Sequence, residues 1–409
     1  MHLGQRGLLL LLAVAISAVP AVAQDPPPGP PPDSPPEIPS LEDIRAGQAK
    51  IPDYIPMEFN FRIGVVADFV VEIESTTGAQ QQIKTPLLLI DPRTGDIGVY
   101  AKNFPAKIVA SSPAGNWVVG IAPSAAVEGT SGSRNKEAAI SLNLKSGQIK
   151  LIKEFPIHSN FQAFFSEDDS NVIYYCVNEP AAMNKIVRYN LRSERSTSLS
   201  AEGNRFFLYG MKKEPPRGLW VEDPLSLHDF PVVNLLDLEA GSIINTVEFP
   251  GATRIIARPG GSTLLASVED RAEASLGFFE SNDSSFHQVE GLVLTRPIIR
   301  WAHKSLAVVA KESTATTDRF LWIDLATGEA RELFSGYFKV GQWDISPDDD
   351  ALVFVSNSKE NPILFVVPLD PSIDVINQIR LVDVKNVSWL GCLNPPRSRG
   401  SWIDRLLPF

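Results

Sequence analysis

Few residues in this sequence have the type and spacing that catalysis or metal binding requires. The histidines beyond position 23 fall in four separate segments, and none is spaced as a zinc-ligand pair; they are His158, His228, His287 and His303. The sequence contains no phosphate-binding glycine loop, no nucleophile elbow and no His-Glu-x-x-His helix. Local motifs therefore predict no metal site, no cofactor and no catalytic residue.

Two groups of residues resemble chemical motifs but fit a structural role better. Ser133 and Lys136 have the spacing with which a lysine activates a serine, but their loop lacks a helical pattern and the companion motifs. The acidic clusters 168–169 and 348–350 offer oxygen ligands of the kind that calcium prefers. Both clusters lie between a serine and an apolar strand, where aspartates usually accept hydrogen bonds in a tight turn. We predict turn residues here.

Seven polar residues in equivalent segments of an internal repeat form a better candidate site. These are Gln162, Arg254, Arg258, Arg300, His303, Gln342 and Asp344. Arg254 and Arg258 flank an apolar pair, and Arg300 precedes a tryptophan. His303 lies on the other side of that tryptophan, and together with the three arginines it could form a cationic site for a carboxylate or phosphate on an otherwise acidic protein. A wall of solvated polar residues is the alternative.

The repeat that carries these residues is built from β-strands. Beyond Met57, short apolar runs alternate with turn signals, and helical periodicity is almost absent. In the clearest copies a strand ends in a turn that Asp or Asn opens and that contains a glycine, which accepts positive φ. These copies read LLLIDPRTGDIGVY, AISLNLKSGQIKLI, VVNLLDLEAGSIINT and FLWIDLATGEARELF.

The spacing of the repeat predicts the architecture. Degenerate hairpins at Ile186, Leu276 and Ile363 fill the gaps. Each hairpin is preceded by an apolar strand, such as IGVVADFVVEI before the first, and a further strand-like segment lies between one hairpin and the next such strand. Residues 59–393 thus divide into seven units of roughly 48 residues, a length typical of propeller blades. We predict an all-β fold, a seven-bladed β-propeller of four-stranded antiparallel blades, with six or eight blades as alternatives.

The register of the units also predicts how the ring closes. The first unit begins with its second strand near Ile63, whereas the last segment, KNVSWLGCL, supplies a first strand with no followers. Sheets that are apolar on both faces must stack against neighbours, so we expect these two ends to share one blade. The innermost strands then line a central channel, where the seven polar residues would meet a ligand.

One run resembles a known family of propellers. SPDDDALVFVSNSKENPILFVVPLD is similar to the repeat of TolB-type, Trp-Asp-repeat-like propellers, and SSPAGNWVVGIA and FSEDDSNVIYYCV are weaker copies. The resemblance covers the folded body at repeat level and implies a fold rather than an activity. TolB itself has six blades and a preceding α/β domain, which the proline-rich segment here does not match, so its partners do not transfer.

The N-terminal residues predict export. Residues 1–23 combine Arg6, an apolar run and Ala21-Val22-Ala23, as in a secretory signal peptide cleaved after Ala23; an uncleaved anchor is the alternative. Residues 24–56 are rich in proline and predict an extended tether, within which 41–49 could form a short helix. We expect a periplasmic or extracellular protein with no membrane span after cleavage.

The rest of the chain divides into two parts. Residues 57–393 form the predicted propeller, and 394–409 form a C-terminal appendage that either packs on the propeller or presents a peptide to a partner. Cys176 and Cys392 lie in apolar strands of distant repeats, which favours free buried thiols over a disulfide.

Charge and composition narrow the classes of function. The 48 acidic and 37 basic residues give a net charge of -11, which makes nucleic acid a poor partner. Degenerate repeats, missing catalytic motifs and a long polar loop at 123–137 favour an exported, non-enzymatic scaffold that binds an envelope or extracellular protein. Two alternatives stay open: a hydrolase or lactonase that uses channel residues, and a module that binds a small molecule or glycan.

Overall fold

The computed structural model describes residues 54–393, with short internal stretches left out. These stretches are 68–70, 75–79, 84–86, 101–103, 105, 167–168, 180–182, 204–205, 212–216, 223–229, 250, 259–262, 271–272, 281–285, 338, 357–361, 374–375 and 381–386. The predicted signal peptide, the predicted tether up to residue 53, the predicted short helix at 41–49 and the appendage 394–409 lie outside the described residues.

The described residues form seven antiparallel blades, numbered here in chain order, and blades 1 to 3 come first. Blade 1 begins with β1 (Arg62–Ala67), the added hairpin of β2 (Val71–Glu74) and β3 (Gln80–Ile83), and then β4 (Leu87–Ile90) and β5 (Ile97–Tyr100). Blade 2 has β6 (Lys107–Ser111), β7 (Trp117–Pro123), β8 (Lys136–Asn143) and β9 (Ile149–Pro156). Blade 3 has β10 (Asn160–Phe165), β11 (Val172–Asn178), β12 (Asn184–Asn190) and β13 (Ser196–Gly203).

Four further blades complete the ring, and the last strand returns to blade 1. Blade 4 has β14 (Phe206–Met211), β15 (Arg217–Glu222), β16 (Val232–Asp237) and β17 (Ser242–Glu248). Blade 5 has β18 (Arg254–Ala257), β19 (Thr263–Asp270), β20 (Glu273–Glu280), β21 (Phe286–Gln288) and the short β22 (Leu294–Thr295). Blade 6 has β23 (Ile298–Trp301), β24 (Ala307–Ser313), β25 (Asp318–Asp324) and β26 (Ala330–Gly336). Blade 7 has β27 (Val340–Ile345), β28 (Ala351–Ser356), β29 (Ile363–Pro368) and β30 (Asn377–Arg380), and β31 (Val387–Leu393) follows.

The prediction of a seven-bladed, all-β propeller is confirmed. Among the described residues the helical structure consists of one 3-10 turn, Ser124–Ala126. No helix in that part of the chain has the length and apolar character needed to cross a membrane.

One predicted strand is divided in the structure. The run from Ile63 to Ile73 was expected to be continuous, but it forms β1 and β2, and β2 pairs only with β3 in a separate hairpin. The partner strand β4 has four residues, so its pairing with β1 ends at Val66 and Leu87. Backbone groups beyond that point need other partners, and in the hairpin those of β2 and β3 pair with each other.

Ring closure occurs as the sequence predicted. β31 pairs antiparallel with β1 from Arg62 opposite Leu393 to Ala67 opposite Val387. The C-terminal strand is therefore the innermost strand of the blade that the N-terminal strand begins. Blade 1 is held together by main-chain hydrogen bonds between the two ends of the described chain.

Hydrophobic packing joins each blade to both of its neighbours. Seven clusters of buried side chains lie one at each boundary between consecutive blades. In β28 of blade 7, Leu352 and Phe354 pack towards blade 6, whereas Val353 and Val355 pack towards blade 1. Because alternate residues of a strand point to opposite faces, such strands are buried on both sides and apolar throughout.

The aspartate turns of the repeat have the predicted geometry. Asp324 Oδ1 accepts hydrogen bonds from the backbone N–H groups of Ala326 at 2.8 Å and Thr327 at 3.0 Å. Gly328 follows with a φ of 76°, where a side chain would be strained. Both cysteines are buried thiols without a disulfide, as expected.

Residues 54–61, which we call the N-terminal strap, cross the boundary between blades 7 and 1. Tyr54, Met57, Phe59 and Phe61 are buried in the cluster shared by these blades. The side chain of Asn377 in blade 7 accepts a hydrogen bond from the Ile55 backbone N–H at 3.2 Å and donates one to the Ile55 carbonyl at 2.8 Å. The strap therefore adds buried apolar area at the boundary where the ring closes.

A buried charge cluster reinforces the boundary between blades 6 and 7. The Asp318 carboxylate accepts a hydrogen bond from the Val340 backbone at 2.7 Å and lies 3.4 Å from the Lys311 ammonium and 3.1 Å from that of Lys339. Burial raises the pKa of Asp318, but the Val340 bond, the side-chain bonds from Ser313 and Lys339 and the charge of Lys311 together lower it below its ordinary value.

Removal of β31 tests the ring closure. We expect a chain ending at residue 386 to lose cooperative thermal unfolding, because the inner edge of blade 1 and two blade boundaries lose their partners. A chain ending at residue 393 keeps β31, is the matched control and should retain the cooperative unfolding of the full chain. Circular dichroism during heating separates the two, and equal cooperativity in both would contradict this role of β31.

The Asp318→Asn variant tests the charge cluster. Removing one partner of a buried pair typically costs about 3 kcal/mol, so we expect that loss in urea unfolding at neutral pH. Because the folded-state pKa lies below the unfolded one, ionised Asp318 stabilises the fold above about pH 4, and this contribution disappears as the pH falls through the folded-state pKa. The difference between variant and unmodified chain should shrink on acidification. Glu239→Gln, at an exposed position in a turn of blade 4, is the control and should change the free energy of unfolding little.

Candidate functional site

The structure places all seven predicted polar residues on, or directly after, the innermost strands. The positions are Gln162 on β10, Arg254 on β18, Arg258 after it, Arg300 on β23, His303 after it, and Gln342 and Asp344 on β27. They come from blades 3, 5, 6 and 7, and those from blades 5 to 7 occupy successive blades. A ligand at these residues stays a prediction.

Arg258 and Trp301 join blades 5 and 6. Arg258 Nη2 donates to the carbonyl oxygens of Lys304 at 2.5 Å and His303 at 3.5 Å. In the reverse direction, Trp301 Nε1 donates to the Ile256 carbonyl at 2.9 Å. The Arg258 guanidinium also lies 6.0 Å from the centre of the Trp301 ring, near the limit of a cation–π contact.

Arg300 and Asp344 form a series of polar contacts that links blades 6, 7 and 1. Arg300 Nη1 lies 2.9 Å from Asp344 Oδ1, and its guanidinium stacks 4.6 Å from the centre of the Trp343 ring. The second oxygen of Asp344 accepts a hydrogen bond from the backbone N–H of Cys392 on β31, at 2.9 Å. One carboxylate thus connects blade 6 to the strand that closes the ring.

Gln162 has a similar role between blades 3 and 4, because its Oε1 accepts a hydrogen bond from the Leu208 backbone at 2.8 Å. Arg254 on β18 is exposed and close to Tyr209 of blade 4. Burial raises the pKa of Tyr209 to about 12, and the charge of Arg254 opposes that rise. Several of the predicted residues therefore make contacts between blades.

The acidic cluster 348–350 makes the same kind of contact. Asp349, with a φ of 60°, accepts hydrogen bonds from the backbone N–H groups of His303 at 2.6 Å and of Lys304 and Ser305 at 2.8 Å. Asp348 pairs with the Lys304 ammonium. Turn residues were predicted, but the partners lie in blade 6 rather than in the aspartates' own turn. In the described chain no three His, Cys, Asp or Glu residues are grouped so as to hold a metal ion.

Sequence reasoning missed a cleft of about 840 Å³, which we call the rim cleft. It lies at the blade 6–7 boundary, on the rim formed by the turns after the first and third strands of each blade. Its walls come from the N-terminal strap and from four turns or strand ends. The lining residues are Ile55, Pro56, Met57, Glu58, Phe59, Ser305, Trp322, Asp324, Glu329, Arg331, Asp349, Asp350, Leu369, Asp370, Pro371 and Ile373.

The rim cleft combines apolar side chains with carboxylates. Ile55 is 49% exposed and Ile373 is 43% exposed, which is high for residues of this size. Trp322 lies opposite Arg331 on neighbouring strands, and Arg331 donates to the Leu369 carbonyl at 2.5 Å. Six carboxylates and one guanidinium line the cleft, so its electrostatic potential is negative and favours a cationic ligand.

Two of these carboxylates differ in their proton affinity. Burial, followed by the charge of Asp348, raises the pKa of Asp350. In contrast, hydrogen bonds from the Ser372 side chain and backbone lower the pKa of Asp370. The carboxylate of Asp370 therefore keeps its charge to lower pH than that of Asp350.

The signal for this cleft in the sequence was weak. Residues 54–56 were assigned to the tether, and nothing in their pattern marks Tyr54 as buried or Ile55 as part of a cleft. The recurrence of apolar residues within aspartate turns, as in Pro371 and Ile373, was the available indication.

Comparisons with known proteins agree with the geometry of the fold. No protein-family model matches the chain, and no curated protein matches it in sequence. A protein from Lactobacillus plantarum superposes with a TM-score of 0.51 at 10% identity, covering 82% of this chain and 100% of that one.

Two other solved structures are less similar. TolB from Acinetobacter baumannii gives a TM-score of 0.45 at 13% identity, covering 68% of this chain; the match spans 64% of that TolB. The periplasmic gluconolactonase PpgL of Pseudomonas aeruginosa gives 0.49 at 12% identity, covering 82% of this chain and 99% of that one.

The chain is a seven-bladed β-propeller protein. At these identities the likeness extends to architecture and not to activity.

Adjacent aspartates provide a test of the contacts between blades. We expect Asp349→Gly to lower the free energy of unfolding by about 2 kcal/mol, because three backbone donors lose a charged acceptor. Glycine accepts the local φ of 60°, so the variant introduces no left-handed backbone strain of its own. Asp348→Ala removes an exposed ion pair and should cost under about 0.5 kcal/mol. Equal losses by urea unfolding would contradict the assignment.

Proposed function

We propose that this protein is an exported, non-enzymatic scaffold of the periplasm or cell envelope that binds a protein partner through the rim cleft. The single observation that carries the proposal is the cleft itself, where exposed apolar side chains are surrounded by carboxylates. Export is proposed from the signal-peptide pattern of residues 1–23.

The composition of the cleft supports a peptide segment as its ligand. Protein interfaces combine an apolar centre with a polar rim, and here Ile55, Trp322 and Ile373 lie among Glu58, Glu329 and other acids. An extended segment with alternating aliphatic and basic side chains complements both features. Main-chain groups at the turns of blades 6 and 7 could add hydrogen bonds.

Hydrogen bonds within the chain hold the walls of the cleft. The strap is bonded to Asn377, Asp349 is bonded to three backbone groups of blade 6, and Arg331 is bonded to the Leu369 carbonyl. A site whose walls are already ordered loses less conformational entropy when it binds. This rigidity supports a role in presentation and binding.

A charge-reversal pair tests the proposal. Tagged full chain is crosslinked in its native envelope, purified, and its partners are quantified by mass spectrometry. We expect Glu329→Lys in the cleft to reduce recovery of the partner at least fivefold, because it removes one cleft carboxylate and adds a cation. Glu239→Lys makes the same change in the corresponding turn of blade 4 and is the matched control.

A partner that is recovered equally with both variants would contradict binding at the rim cleft. Turnover of a substrate that is abolished by Arg258→Ala or Arg300→Ala, with folding retained, would contradict the non-enzymatic role and favour chemistry in the channel.

A further inference from the structure

We propose that residues 394–409 of this chain bind in its own rim cleft and so compete with an external partner. The proposal rests on the proposed function for the identity of the site and names an intramolecular occupant for it. Three observations support it: where β31 ends, the charge of the segment, and the apolar side chains on both sides.

The end of β31 lies at the rim that carries the cleft. Leu393 pairs with Arg62, which follows the N-terminal strap, and strap residues Met57 and Phe59 line the cleft. The Cys392 N–H is bonded to Asp344, and β27 leads from Asp344 to the cleft residues Asp349 and Asp350.

The segment is long enough to reach across the cleft. Residues 394–401 span up to about 28 Å when extended, which exceeds the distance between the axes of neighbouring packed sheets, about 10 Å. Residues 402–409 are then available to occupy the site.

The charge of the segment complements that of the cleft. Between residues 394 and 409 there are three arginines, Arg397, Arg399 and Arg405, and one acid, Asp404. The cleft presents six carboxylates and one guanidinium. The other terminal segment has the opposite character, since residues 24–53 contain six acids and two basic residues and would be repelled.

The apolar residues of the segment supply anchors of suitable chemistry. Trp402, Ile403, Leu406 and Leu407 follow the first two arginines. Large aromatic and aliphatic side chains bind where apolar surface is already exposed, as it is at Ile55 and Ile373. The segment thus carries both properties inferred above for a partner peptide.

Disulfide trapping in the full chain tests this inference. Ser372→Cys places a thiol in the exposed turn between Pro371 and Ile373, and Ser401→Cys places one beside the anchor residues. Burial raises the pKa of both native cysteine thiols, so the introduced thiols react first. Glutathione disulfide serves as the oxidant and is itself reduced to glutathione. The rate of intramolecular disulfide formation is followed by non-reducing electrophoresis and mass spectrometry.

The control pairs Ser401→Cys with Ser193→Cys, an exposed position in the equivalent turn of blade 3. We expect the cleft pair to form its disulfide at least tenfold faster than the control pair. Adding Arg397→Glu and Arg399→Glu should remove most of that advantage, and so should high salt.

Equal rates for the two pairs would overturn the inference. Disulfide-linked dimers whose yield rises with protein concentration would also overturn it, because the occupant would then be a second copy. Either failure leaves the partner test with Glu329→Lys unaffected, since that test does not involve residues 394–409. If both proposals hold, a chain ending at residue 393 should recover more partner than the full chain.

Discussion

Every blade of this protein is apolar on both faces, so each must pack against two neighbours. Strand β28 shows the constraint, because Leu352 and Phe354 serve one boundary while Val353 and Val355 serve the next. No blade face is left without a neighbour only if the last blade packs against the first. The pairing of β31 with β1 completes blade 1 and so allows this contact. Burial of apolar surface on both sides therefore requires closure, and closure fixes where the polar residues can act.

The polar residues near the channel follow from that constraint. Sheets arranged around an axis approach most closely at their inner strands, and unpaired backbone groups there need partners. Asp344 and Asp349 supply acceptors to a neighbouring blade, and Arg258 supplies a donor. The positions that looked most available for a ligand in the sequence thus contribute to cohesion of the ring.

The fold could be predicted from the sequence because its signals are local and repeated. Aspartate turns with a glycine, as at Asp324 and Gly328, recur at blade spacing, and the incomplete first unit indicated how the ring closes. The rim cleft could not be predicted in this way. Its lining brings Ile55 beside residues of blades 6 and 7, and the register between blades is set by packing, which no spacing along the chain encodes. The same limit applies to the pairing of Arg300 with Asp344.

Closure between β1 and β31 also governs when the protein can complete its folding. The paired residues Arg62 and Leu393 are about 330 positions apart, so among the described strands the pairing of longest range is also the one that closes the ring. Contacts of such separation form late, because the entropy of joining distant segments must be offset by packing already in place. A chain that is synthesised from its N-terminus holds blade 1 without its inner strand until residue 393 has emerged. During that interval the exposed edge of β1 is a site for wrong pairing, and a factor that shields this edge would govern the yield of folded protein.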